Sequence, residues 1–108
     1  MKKLFFSILL LAIPLLANAY DIAVENADGV TIYYNYINEG TELEVAQYPS
    51  STRYRGAVNI PEEVTYMSCA RKVTCIGNYA FSNCTGLNAV TIPNTVTTIR
   101  DNAFYYCI

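Results

Sequence analysis

Apolar positions along this chain follow three rhythms, and each predicts a different kind of element. An apolar run fills Leu4 to Leu16. From Tyr20 to Gln47 apolar and polar residues alternate, with Val30, Ile32, Tyr34 and Tyr36 on one face and Thr31, Tyr33, Asn35 and Ile37 on the other, which is the period of a β-strand. Asp28-Gly29 separates that run from Ile22-Ala23-Val24 and predicts a tight hairpin. Asn38-Glu39-Gly40 makes the next turn. Leu43 and Val45, set among Glu42, Glu44 and Gln47, then predict a strand with one wet face. Tyr48 to Gly56 reads as a loop by composition.

Beyond that loop the rhythm lengthens to 23 residues. Ile76-Gly-Asn-Tyr-Ala-Phe-Ser-Asn-Cys84 returns as Ile99-Arg-Asp-Asn-Ala-Phe-Tyr-Tyr-Cys107. Ile76/Ile99, Ala80/Ala103, Phe81/Phe104 and Cys84/Cys107 match in identity, while the residues between them vary. The pattern predicts a buried ladder with a variable exterior, in which each unit buries its apolar edge by stacking on the next. Leu87, Val90, Ile92, Val96 and Ile99 form the linking segment, with Pro93 suited to a strand edge. A partial earlier copy, Val58-Asn59-Ile60-Pro61-Glu62-Glu63-Val64-Thr65, aligns with Val90 to Thr97 at an offset of 32. The excess falls in Thr65 to Cys75, which predicts a short β-excursion.

The combination I-G-x-x-A-F-x-x-C, L-x-x-V-x-I-P and V-x-x-I, spanning roughly Val58 onward, resembles the BspA-like leucine-rich-repeat family. The resemblance implies a curved solenoid, an extracellular or cell-surface location and, for some members, attachment to host extracellular-matrix proteins or other cells; the partner expected here is a protein or a glycan. Arg100 departs from the family's glycine, and Arg55 stands where a strand leucine is expected. The chain is thus expected to be mainly β, with an N-terminal β-hairpin cap over residues 20–57. The cap leads into an α/β leucine-rich-repeat solenoid of ~23-residue coils over residues 58–108, incomplete at its C-terminus.

Met1-Lys2-Lys3, the apolar run and Ala17-Asn18-Ala19 predict a secretory signal peptide over residues 1–19. Its apolar run falls short of the ~20 residues needed to span a bilayer, so the exported chain is not expected to cross a membrane. After cleavage, five cations face nine carboxylates, a net of −4. That balance, with no basic patch, argues against nucleic acid.

There is no histidine, so the commonest general base and the usual triads are missing. Paired carboxylates at Glu42/Glu44 and Glu62-Glu63 read as solvated charge. Asp21, Glu25 and Asp28 lack calcium-loop spacing, and neither a metal site nor a cofactor is expected. Of the four cysteines, Cys84 and Cys107 read as small buried apolar residues. Cys69 and Cys75 are candidates for a disulfide closing the excursion. Asn83-Cys84-Thr85 fits the glycosylation acceptor pattern but sits on a core position. Tyr33, Tyr34 and Tyr36 are expected to pack the small sheet, and Tyr79, Tyr105 and Tyr106 to be exposed in part.

The expected function is a non-catalytic, secreted or cell-surface binding and adhesion module, the N-terminal portion of a longer protein. Its candidate contact face is Asn88, Ala89 and Thr91, alternating with buried Val90 and Ile92. The alternative is a spacer or capping domain that presents a downstream enzyme or anchor. Within the ladder, Phe81 is expected to be the costliest truncation and Ser82, at a variable position, a cheap one.

Overall fold

Two parallel strand ladders run through the computed structural model, which describes residues 20–107. The predicted signal peptide lies outside the described residues. The first ladder joins β3 (Glu42–Val45), β6 (Cys69–Ile76) and β8 (Thr98–Ile99). Val45, Ile76 and Ile99 lie side by side in it, as do Glu44, Cys75 and Thr98. The second ladder pairs β4 (Gly56–Asn59) with β7 (Leu87–Thr91). The first two coils each contribute one strand to each ladder and the third adds β8 to the first, so the 23-residue repeat is a stacked β-solenoid.

The hydrogen bonds carry the same period. Ala80 N donates to Gly77 O, Ser82 N to Tyr79 O and Cys84 N to Phe81 O; Ala103, Tyr105 and Cys107 repeat these bonds to Arg100, Asn102 and Phe104. Between coils, Phe81 N donates to Ala103 O at 2.7 Å and Asn83 N to Tyr105 O at 2.8 Å. The helical share expected of an α/β coil is replaced here by these chained turns. Tyr79 and Asn83 adopt φ of 61° and 59°, and their equivalents Asn102 and Tyr106 adopt 62° and 58°. A left-handed residue every few positions stops any α-helix from propagating.

The hairpins are as the alternation predicts. β1 (Ile22–Glu25) pairs antiparallel with β2 (Thr31–Ile37), and β2 with β3. The first turn is longer than a tight two-residue one. It spans Asn26 to Val30, and the Asn26 Oδ1 accepts from the N–H groups of Asp28 and Val30, both at 2.9 Å. The excursion is a second kind of hairpin, β5 (Glu63–Tyr66) against the start of β6, turning at Met67 and Ser68. Both turn residues have positive φ, 53° and 66°, the two-residue geometry that matches strand twist.

Because β3 is bonded on one side to β2 and on the other to β6, the cap and the first repeat strand form one continuous sheet. The expected boundary between residues 57 and 58 falls inside β4. The core lies between the two ladders and contains Ile32, Leu43, Val45, Val58, Val73, Ile76 and Phe81, all fully buried. Tyr54, read from sequence as part of a loop, is 1% exposed and belongs to this core. Its hydroxyl donates to Ala46 O at 2.8 Å and accepts from Tyr33 N at 3.0 Å. Its ring stands 4.9 Å from that of Phe81, which is stacked 5.3 Å from Phe104. One ring per coil therefore forms a continuous column, and the loop of residues 46–55 is a coil whose sequence signature is worn down.

Candidate functional site

The expected contact face lies on the second ladder. Ala57 pairs with Ala89 and Asn59 with Thr91, but Gly56 pairs with Leu87, so Asn88 is an extra residue bulged out of register. Asn88, Ala89 and Thr91 are exposed, and the backbone of Thr91 is fixed by Ile60 N donating to its carbonyl at 3.0 Å. The outer edge of β4 is covered by the first hairpin loop. Asn26 Nδ2 donates to Asn59 O at 2.9 Å, and Asn59 Nδ2 to Asp28 Oδ2 at 2.7 Å. The result is a strip of amide and hydroxyl groups held in register, with the Asp28 carboxylate at its outer edge.

Two expectations about this region need correction. Val90 is only half-buried, and Ile92 is 37% exposed where a buried residue was expected. The described residues include no third strand beside β7, so its apolar side is covered on one flank only. Ser82 errs in the opposite direction, being 3% exposed at a position expected to face outward. The flanking amides of Phe81 and Asn83 both bond to the next coil, so that coil covers Ser82. Its equivalent Tyr105 has no such cover and is exposed, as are Tyr79 and Tyr106.

The acidic pair on β3 is not simply solvated charge. Glu42 accepts from Thr74 Oγ1 at 3.0 Å and from the Asn38 amide. Glu44 accepts from Asn35 Nδ2 at 3.3 Å and pairs with Arg100 Nε at 3.1 Å. Arg100, which departs from the repeat's glycine, thus ties the third coil to the first, and the bond to Glu44 raises the guanidinium pKa above its ordinary value. Glu62 and Glu63 are exposed.

The cysteines divide by burial. Cys84 is buried with Cys107 against it, the Cys107 thiol lying 3.7 Å from Cys84 O. Burial pushes the thiol pKa values of Cys75 and Cys84 up, which makes them poor nucleophiles. Cys69 and Cys75 share one strand. Six residues at about 3.3 Å each separate them by ~20 Å, and a disulfide requires Cα atoms within about 7 Å. The suggested bridge is therefore excluded.

Parallel ladders, one core ring per coil and an open strand face together define a leucine-rich-repeat solenoid. Residues 61–108 match the sequence model of the BspA type leucine rich repeat region (6 copies). Residues 61–108 thus carry the repeats of this family. Its fold is similar to the crystal structure of a leucine-rich repeat protein from Bacteroides ovatus ATCC 8483, with 32% identity and a TM-score of 0.67 over 82% of this chain and 21% of that one. It is also similar to a leucine rich cell surface protein from Faecalibacterium prausnitzii A2-165, with 27% identity and a TM-score of 0.60 over 84% of this chain and 22% of that one. The chain spans about a fifth of the length of these solved structures. Curated proteins give no significant match.

Proposed function

We propose that the chain is part of a secreted, surface-displayed and non-catalytic binding module that adheres through the β4–β7 face. The observation that carries this reading is the strip formed by Asn88, Ala89 and Thr91 beside Ala57 and Asn59, exposed but fixed in register by backbone bonds. A strip held in register before contact loses little conformational freedom on binding, and repeated strands extend it into the kind of long surface solenoids use for partners. The repeats of this family and the likeness to a cell-surface protein support the display at a surface. Matrix proteins are the class to test first.

Binding of the full chain to immobilised matrix proteins is expected to fall at least about tenfold when charge is introduced at Asn88→Asp together with Thr91→Glu. Equal charge introduced on the exposed excursion hairpin at Thr65→Glu together with Ser68→Asp is expected to leave it unchanged. Binding that survives the paired change moves the contact surface elsewhere.

A further inference from the structure

Where the loop between β3 and β4 meets the turn between β6 and β7, the surface sinks into a cavity of about 500 Å³, lined by Ser51, Thr52, Arg53, Arg55, Asn83 and Thr85, with Gly86 at its floor. Two of the five cations found from Tyr20 onward converge here, with none of the nine carboxylates. This is the reverse of the chain's overall balance. The other arginines are occupied: Arg100 pairs with Glu44, and Arg71 donates to Gly40 O and lies over the Tyr36 ring. Neither Arg53 nor Arg55 forms an ion pair with any described residue.

Both walls are held in place. Tyr54 points inward between the two arginines and is locked by its two hydroxyl bonds, while Arg53, half-buried in a left-handed turn conformation, and Arg55, exposed, line the cavity. Arg53 N bonds to Ser50 O, and the hydroxyls of Ser50 and Thr52 lie 2.8 Å apart. Opposite them, Asn83 is fixed by its bond to Tyr105 O, and Thr85 N donates to Asn83 O at 2.9 Å. The Arg55 side chain lies over the backbone of Gly86, its Nε 3.5 Å from where a Cβ would stand.

We propose that this cavity binds an acidic sugar, a uronic or sulfated residue of a glycan. The guanidinium forks of Arg53 and Arg55 take the anionic group, for which a bidentate donor is the natural partner. The hydroxyl and amide groups of Ser51, Thr52, Asn83 and Thr85 both donate and accept, as a ring of sugar hydroxyls requires. No large apolar side chain lines the cavity to anchor a peptide residue, and no strand edge opens into it for a peptide to extend. One coil further on, Tyr106 repeats the position and backbone of Asn83, and its exposed ring lies 4.8 Å from that of Tyr105. That aromatic surface extends the site for a neighbouring sugar ring. The site adjoins the β4–β7 face but does not depend on the reading of that face.

Calorimetric titration of the full chain distinguishes the possible ligands. A sulfated heparin-derived tetrasaccharide and a tetragalacturonate are expected to bind one to one, with maltotetraose and a hexaglutamate peptide weaker by about tenfold or more. Arg53→Gln and Arg55→Gln are each expected to lower affinity for the acidic sugars about tenfold, and Arg55→Lys, which keeps the charge but loses the fork, by a smaller factor. Lys72→Gln, a cation outside the cavity, is expected to leave binding unchanged. The proposal is overturned if neither acidic sugar binds, if hexaglutamate binds as well as they do, or if the two glutamine variants bind like the parent chain. Thermal melts of each variant establish that the fold is intact, since both arginines lie at the surface.

Discussion

Truncating the middle ring of the aromatic column tests the stacking that holds the coils together. Phe81 is fully buried, with the Tyr54 ring 4.9 Å away on one side and the Phe104 ring 5.3 Å away on the other. Phe81→Ala removes both contacts and leaves a void bounded by two coils, and such truncations cost about 3–5 kcal/mol. A domain of this size holds roughly 4–13 kcal/mol in total, at about 0.05–0.15 kcal/mol per residue. With a urea m-value of about 1.5 kcal/mol/M, the unfolding midpoint followed by circular dichroism should therefore drop by about 2–3 M. Phe104→Ala should cost distinctly less, because Phe104 is half-buried and meets a ring on one side only. A Phe81→Ala midpoint within about 0.5 M of the parent at equal m, or a Phe104→Ala loss as large as that of Phe81→Ala, would refute the column as the main tie between coils.

Three further outcomes follow from the same contacts. Tyr54→Phe keeps the ring but strands the Ala46 carbonyl and the Tyr33 amide, so denaturant unfolding should show a loss of about 1–3 kcal/mol. Gly77→Ala places a Cβ 2.7 Å from Val45 O; that backbone atom cannot swing away, and the same assay should show a destabilisation of about 1–3 kcal/mol. Burial raises the pKa values of Tyr34 and Tyr54 well above their ordinary 10.0. Their stabilising contribution is then complete below pH 10.0 and declines as pH rises past it, because the unfolded chain releases protons that the folded chain retains. Unfolding free energies from urea titrations taken between pH 8 and 11 should fall above about pH 10, by up to ~1.4 kcal/mol per pH unit for each tyrosine, and Tyr54→Phe should flatten the decline.

The coils from Ile76 onward were legible because their inward residues repeat by identity, and identity at a fixed spacing is what stacking requires. The hairpins were legible for a similar reason, since alternation exposes one face of each strand. The first coil was not. Tyr54 occupies the place of Phe81 in the ring column, yet it lies four residues before Val58, whereas Phe81 lies nine before Val90. With the spacing shortened and phenylalanine replaced, only the tyrosine between two arginines was left as a signal, and composition made that stretch look like a loop. The Glu44–Arg100 pair, 56 residues apart, becomes visible only once β3, β6 and β8 are known to lie side by side. On the expected binding face, Asn88, Ala89 and Thr91 emerged exposed as read. Ile92 did not follow the alternation because strand periodicity fixes which way a side chain points, not whether another coil covers it.

The irregular spacing of the first two coils shows how the ladder tolerates an insertion. Val45 and Ile76 are ladder partners 31 residues apart, whereas Ile76 and Ile99 are partners 23 apart. The excess of eight matches residues 63–70, which are β5, its two-residue turn and the first two residues of β6. Thr65 and Tyr66 pair with Ala70 and Cys69, while Glu63 and Val64 pair with Lys72 and Arg71 on the same strand, so the hairpin leaves the ladder beyond Lys72 and the strands on either side still meet in parallel register. The backbone groups along the shared edge of the hairpin bond to one another and most of its residues are exposed to water, which removes the main cost of adding chain to a packed coil. Met67 at its tip is 81% exposed and contributes nothing to the core. Scaffold and surface are therefore separable in this molecule: the inward ladder fixes the rise of the coils, while corners such as the 46–55 loop and the 63–70 hairpin vary in length and composition. The arginine-lined cavity sits at one of those corners, with its polar lining on the surface and Tyr54 beneath it in the ring column, so its lining side chains are free to change as long as Tyr54 keeps the stack.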